Sequence, residues 1–283
     1  MADGDWKVVA RRQQPRALRE GSAARLAASA PVSQHHFDVA AYGDVAKDFQ
    51  GRLERCHREL VDEEAPFWGS LTGALAAAGA PLSELRLVCY GIGPFGRSWR
   101  AQYQLACLLA IAHHCRVASV ELFDPVLSDA ERALFPRCMD ILGLRTEGEG
   151  CRQPLLTCLS DDEHASRRCQ APTLLFMPHC NKELYDNLIA ANASSPELLA
   201  NCLLLGNDLS LYRDTVLSRG DRRALRHVLA ASEAGLSVAP LAPFPPLFEA
   251  FNDTALHSWS REQASALVQR LTSSPSFSSS SSC

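Results

Sequence analysis

Residues 91–96 read Gly91-Ile92-Gly93-Pro94-Phe95-Gly96, a G-x-G-x-x-G spacing that follows a short apolar run and opens a long apolar helix. Glycines at these positions permit a tight turn and let main chain approach a ligand. The helix start offers free N–H groups and a positive dipole end to an anion. Pro94 suits an early helical position, and Arg97 adds a cation. The bland alternative is a turn that only packs helix on strand. Asp124 closes the next apolar run, 28 positions after Gly96. An acid there takes ribose hydroxyls in dinucleotide folds; an Asp-Pro turn starter is the competing reading. Two more apolar runs end in Pro178-His179-Cys180 and in Asn207. His179 and Cys180 could serve as base, nucleophile or metal ligand. Adjacent residues on an extended chain point to opposite faces, so one of the pair can equally belong to the core.

Other polar clusters carry less. Asn252-Asp253 between apolar residues reads as an Asx-type turn. His113-His114-Cys115 ends an apolar helix, where the dipole favours histidine. No second ligand pair stands at zinc spacing, so no metal site is expected.

These residues need strands and helices to hold them. The spacing predicts a helix from Val45 to about Glu64, capped by Asp44, and a second through Leu71 and Leu75 to Gly79-Ala80-Pro81. Leu85–Tyr90, Val117–Phe123, Thr173–Met177 and Cys202–Leu205 read as strands. Helices are expected over Ser98–Cys115, from Ser128 (a capping box with Glu131, kinked at Pro136), over Leu184–Ala191, over the basic stretch Asp221–Ala231, and from Ser260 with Gln263 to Leu271. Strands alternating with helices predict an α/β, Rossmann-like three-layer domain with a mostly parallel sheet. It should span 45–271, with disordered tails at 1–44 and 272–283, the latter Ser-rich. Residues 151–170 read as a surface insert.

Composition limits the function. A net charge of −4 gives no push toward nucleic acid or anionic membrane. No apolar run is long enough to span a bilayer, and the N-terminus has no signal-like h-region. The 11 cysteines form no C-x-x-C pair, and several sit in apolar runs. A reducing compartment, cytoplasm or nucleus, is expected.

Six segments, in order, resemble the proteins called "sensitivity to red light reduced", whose animal branch is known as SRR-like domain-containing proteins. They are Tyr90–Phe95, Tyr103–Ala106, Phe123-Asp124-Pro125, Met177–Cys180, Leu205-Gly206-Asn207 and Phe251–Thr254. The resemblance covers about two-thirds of the chain and is nearest to the mammalian branch. It implies a regulatory protein. Plant relatives are linked to light signalling and the circadian clock, animal relatives to haem biosynthesis and clock-gene expression, and a fungal relative to microtubule stability. It implies no established reaction. The family passes quickly from the third βα unit to the strand before Pro-His-Cys, so 151–170 stands out as extra.

Three functional classes follow. The first is a regulator with a nucleotide- or S-adenosylmethionine-like ligand at Gly91, Gly93, Gly96, Arg97, Asp124 and Asn207. The second is a Rossmann-type enzyme. A methyltransferase commonly has an acid two residues before its first glycine, where Cys89 stands here, and no Tyr-x-x-x-Lys pair supports a short-chain dehydrogenase. The third is a ligand-free module that binds other proteins. Haem, through His179 or Cys180, is not favoured, since the chain has no Cys-Pro dipeptide.

Overall fold

A computed structural model describes residues 43–62, 65–79, 84–144, 153–215 and 218–273. Helices α1 (Gly43–Leu60) and α2 (Pro66–Ala77) precede strand β1 (Arg86–Tyr90), helix α3 (Trp99–His114) and strand β2 (Ser119–Phe123). Then come α4 (Asp129–Leu134), a 3-10 turn (Phe135–Arg137), α5 (Cys138–Ile141), β3 (Leu155–Cys158) and β4 (Thr173–Met177). Next are α6 (Lys182–Asn192), α7 (Pro196–Ala200) and β5 (Cys202–Asn207), followed by α8 (Ser210–Thr215), α9 (Arg219–Ala224) and α10 (Arg226–Glu233). Strand β6 (Ser237–Pro240), a 3-10 segment (Pro245–Ala250), β7 (Thr254–Ser258) and α11 (Arg261–Ser273) complete the fold.

The sheet order is β3-β2-β1-β4-β5-β7-β6. Strands β1 to β5 pair in parallel, and β7 runs antiparallel between β5 and β6. The expected α/β architecture with a mostly parallel sheet is what the chain adopts. Its central strands are apolar throughout because both faces are covered. Alternate residues of each strand enter two cores. Leu87, Cys89, Leu174, Phe176, Leu203 and Leu205 meet α1, α2 and α3. Val88, Tyr90, Leu175, Met177, Cys202 and Leu204 meet α6, α7, α10 and α11. Helix starts follow local chemistry. Ser98 accepts from the Ala101 N–H, Ser128 and Glu131 form the full capping box, and Ser260 and Gln263 bond reciprocally ahead of α11. Pro136 sits in the 3-10 turn that interrupts the helical stretch after α4.

Three elements depart from expectation. Cys151 and Arg152 lie outside the described residues, but 153–170 is not the surface insert anticipated. It supplies edge strand β3, in register with β2. Its alternation is too short to register as a strand: Leu155 is 65% exposed and Leu156 only 3%. Ala165 and Cys169 behind it are buried, the Cys169 N–H donates to Asn192 Oδ1 at 2.7 Å, and Arg167 pairs with Glu121 and Glu163. The chain bends at Asn252-Asp253, but not as the Asx-type turn expected: Asn252 Nδ2 donates to the Asp253 carboxylate at 2.9 Å and neither side chain bonds main chain among the described residues, Asp253 is left-handed (φ 53°), and Thr254–His257 continue as buried β7. The basic helix is two helices, broken at Leu225, whose φ, ψ of −115°, 31° lets its side chain bury. Most of the expected tails, 1–42 and 274–283, lies outside the described residues, while 43–44 and 272–273 belong to α1 and α11. No described helix is long and apolar enough to cross a membrane.

Candidate ligand site at the carboxyl edge

Order 3-2-1-4-5 places the topological switch point between β1 and β4, and ligands of open α/β sheets gather outside the carboxyl ends of strands there. The strand ends at that point are Tyr90-Gly91 and Met177-Pro178-His179-Cys180. Four of the sequence candidates, Gly91, Gly93, His179 and Cys180, therefore lie at the strand ends that flank this point. Asp124 comes from β2 on one side and Asn207 from β5 on the other.

The glycine turn is built as the spacing requires, but its donors are engaged. Gly91 and Gly93 are left-handed, with φ of 75° and 80°. The Gly93 N–H donates to Asp124 Oδ2 at 2.7 Å, and the Gly96 N–H to Glu131 Oε1 at 2.7 Å. Asp124, 4% exposed, also accepts from the Val126 N–H at 2.9 Å. The other oxygen of Glu131 closes the capping box at Ser128. Glu131 thus joins two loops, a role its local spacing does not disclose. Gln102 Nε2 donates to the Phe95 carbonyl at 2.8 Å and Arg52 to the Gly96 carbonyl at 3.1 Å, fixing the turn from α3 and α1. The Arg97 side chain is exposed and has no hydrogen bond or ion pair to the described residues.

His179 and Cys180 part company. Cys180 is buried, and its thiol donates to the Tyr90 carbonyl at 3.2 Å. Burial, and after it the Asp124 charge, pushes the thiol up to about 12, so it stays protonated at neutral pH. That corrects its candidacy as nucleophile or thiolate ligand. His179 is not on extended chain at all but left-handed, φ 57°, an uncommon conformation for a residue with a side chain. Asn207 Oδ1 holds its N–H at 2.8 Å, and its Nε2 faces the Ala250 carbonyl at 3.1 Å, which places the ring proton on Nε2. Burial holds its pKa below the ordinary value, against the pull of that carbonyl. The ring is therefore neutral at pH 7. Asn207 also donates to the Cys180 carbonyl and to the Tyr212 hydroxyl, and its own N–H reaches the Tyr185 hydroxyl at 3.0 Å. It acts as the clamp that joins the ends of β4 and β5.

The SRR1 domain family model matches residues 71–258, about two-thirds of the chain. The chain belongs to the SRR1 family. The matched span runs from α2 to the end of β7 and includes every residue of this candidate site. An SRR1-like protein of Drosophila melanogaster is 28% identical over 76% of this chain and 69% of its own. Protein SENSITIVITY TO RED LIGHT REDUCED 1 of Arabidopsis thaliana is 32% identical over 63% and 60%. An SRR1-like protein of Mus musculus is 31% identical over 59% and 66%. The chain thus spans less than two-thirds of the plant and mouse relatives. Among solved structures, an SAH-bound methyltransferase of Podospora anserina aligns over 83% of this chain and all of its own, with 14% identity and a TM-score of 0.39.

One SRR1 residue that the sequence did not single out is His257, on β7. It is fully buried, and both ring nitrogens bond main chain: Nδ1 with the Leu204 carbonyl at 3.0 Å, Nε2 with the Leu209 N–H at 3.2 Å. Since Nε2 must accept, protonation breaks the Leu209 bond. Burial depresses its pKa, with the Leu204 carbonyl opposing. The folded state then binds fewer protons than the unfolded state below the ordinary value near 6.5. Its stabilisation is full above about pH 6.5 and declines as pH falls through the folded pKa. Urea midpoints at pH 7.5 and 5.5 should show the loss, and His257→Gln should reduce it. A wild-type midpoint unchanged between the two would refute this account.

Proposed function

We propose that this SRR1 protein is a regulator whose switch-point crevice takes a metabolite that is neutral or cationic where it meets the glycine turn. The class is S-adenosylmethionine-like, not a phosphate-led nucleotide. One observation carries the choice: the Gly93 and Gly96 amides already serve the Asp124 and Glu131 carboxylates. A phosphate in that turn would compete for engaged donors and face two acids. Two like charges about 4 Å apart repel by roughly 4 kcal/mol at an effective dielectric of 20. A sulfonium or ammonium gains where the phosphate loses. Asp124 retains lone pairs for a hydroxyl, since a carboxylate has about four acceptor sites. The implied roles in haem biosynthesis and clock-gene expression follow from family kinship and are part of the proposal. Haem itself is disfavoured because Cys180 is a buried thiol and His179 Nε2 is engaged.

The test is thermal unfolding of the full chain with S-adenosylmethionine, ATP, NAD and hemin. A ligand at 100 times its Kd adds about 2.7 kcal/mol, which is roughly 5–10 °C for a domain of this size. S-adenosylmethionine should raise Tm on this scale, and ATP and NAD should not. A larger response to ATP overturns the assignment. Silence with all four favours the second reading, an interaction module, which the near-complete burial of Asp124 and Cys180 also supports.

A further inference from the structure

Five large apolar side chains stand exposed among the described residues: Trp99, Val126, Leu155, Leu211 and Phe248. Four of them belong to carboxyl-edge segments. Trp99 follows β1, Val126 follows β2, Leu211 follows β5, and Phe248 lies between β6 and β7. Leu155, on the edge strand, is the exception. Single exposed apolar residues need no explanation, and these four lie on separate segments, so each is judged by its own surroundings.

Trp99 is the most constrained of the four. Its ring, 43% exposed, lies under two guanidinium groups of α1, with Arg52 Cζ 6.0 Å and Arg55 Cζ 5.6 Å from the centroid. Those arginines are themselves held: Arg52 by Asp48 at 2.9 Å and by the Gly96 carbonyl, Arg55 by Glu59 at 2.8 Å. Behind Trp99 the aromatic contacts continue inward, to Tyr103 at 6.4 Å and from Tyr103 to buried Phe244 at 5.1 Å. The indole is thus braced from below and from one side while much of it faces solvent. A pre-organised tryptophan beside arginines is the composition of a binding hot spot.

Charge selects the partner. Arg97 and Arg100 flank Trp99 in sequence, both exposed, with no hydrogen bond or ion pair to the described residues. Asp48 and Glu59 neutralise Arg52 and Arg55, and the nearby acids Asp124 and Glu131 are buried and bonded to main chain. Other exposed acids of this edge stand on neighbouring segments: Asp129 after β2, Asp161 and Asp162 after β3, Glu183 after β4, and Glu249 and Asp253 between β6 and β7. Around Trp99 itself Arg52, Arg55, Arg97 and Arg100 outnumber Asp48 and Glu59, an excess of positive charge in a chain of net charge −4.

The geometry points to a docking surface centred on Trp99, Arg97 and Arg100 that receives a protein partner through an acidic segment carrying an apolar residue. The apolar residue packs on the open part of the indole, and flanking carboxylates meet the Arg97 and Arg100 guanidinium groups. Arginine suits this role because its planar fork takes carboxylates bidentately.

The experiment is selection of a random peptide library on the immobilised full chain, followed by fluorescence anisotropy of a labelled representative peptide. Recovered sequences should combine Asp or Glu with Leu, Phe or Trp. Affinity should fall about tenfold or more in both Trp99→Ala and the double variant Arg97→Glu/Arg100→Glu. It should also weaken as salt is raised, as exposed charge pairs do. Both side chains are exposed and make no hydrogen bond or ion pair to the described residues, so the unfolding midpoint of the double variant should match wild type, and that match separates a lost contact from a folding defect. Peptides without an acidic excess overturn the proposal, as does equal binding to wild type and both variants. A labelled oligothymidylate that binds more tightly than the best peptide and is lost in the same variants also overturns it, by making the patch a single-strand nucleic-acid surface.

Discussion

Gly91→Ala is expected to destabilise the protein by about 3 kcal/mol, read as a lower urea midpoint at unchanged slope. Two independent penalties add. Gly91 has φ 75°, where a side chain costs roughly 1–2 kcal/mol. A Cβ there would lie 2.7 Å from Cys180 Sγ, closer than two such atoms approach, and overpacking of this kind costs about 1–3 kcal/mol. The sulfur has little freedom to retreat, being buried and bonded to the Tyr90 carbonyl. Gly91→Ala/Cys180→Ala should therefore recover the contact part and not the conformational part, a coupling of about 1 kcal/mol or more. Gly93→Ala is the control. Its φ of 80° carries the same strain, but the nearest atom to its Cβ is 3.8 Å away on Ala101. It should lose only the roughly 1–2 kcal/mol of backbone strain. Equal effects at the two glycines would show that Cys180 does not press on the turn.

Asp124→Ala should be at least as damaging, by roughly 3–4 kcal/mol, because it strands two main-chain donors at once. The Gly93 and Val126 N–H groups both lose their acceptor; an unsatisfied donor costs about 1–3 kcal/mol when buried, and Val126, 61% exposed, falls at the low end of that range. Asp124→Asn keeps one oxygen and the shape, so a loss of about 1–2 kcal/mol is expected. The pair separates structure from ligand. If the crevice takes a cationic nucleoside, Asp124→Asn stays folded at 25 °C yet loses the Tm rise with S-adenosylmethionine. An Asp124→Ala protein as stable as wild type would mean that the hydrogen bonds of this turn are not where the geometry places them.

Much of this arrangement is legible in the chain before folding. Continuous apolar runs marked β1, β4 and β5, since a strand covered on both faces has no polar side to show. Ser128 with Glu131 and Ser260 with Gln263 marked helix starts, because capping is local chemistry. The glycine turn was legible for the same reason. What escaped was set by distance. Glu131 reaches Gly96 across 35 positions and His179 reaches Ala250 across 71, and no window of sequence encodes either. The phosphate-cradle reading of Gly91–Gly96 rested on free N–H groups, and only the folded chain brings the acids that take them. Strands β3 and β7 escaped differently. One is an edge with two apolar residues of opposite exposure, and the other carries a buried histidine whose polarity is cancelled by main chain.

The antiparallel position of β7 also bears on how the sheet is completed during synthesis. Among the described residues β6 pairs only with β7, and β7 joins it to β5. A ribosome that has made β6 has not yet made the strand that β6 pairs with in the sheet. Until Thr254–Ser258 emerges, Cys202–Asn207 is a bare margin whose main chain lacks half its partners, and its side chains are almost wholly apolar. Such a margin invites pairing with a neighbouring nascent chain. Pairing of β7 with β5 therefore also supplies the ladder partner of β6.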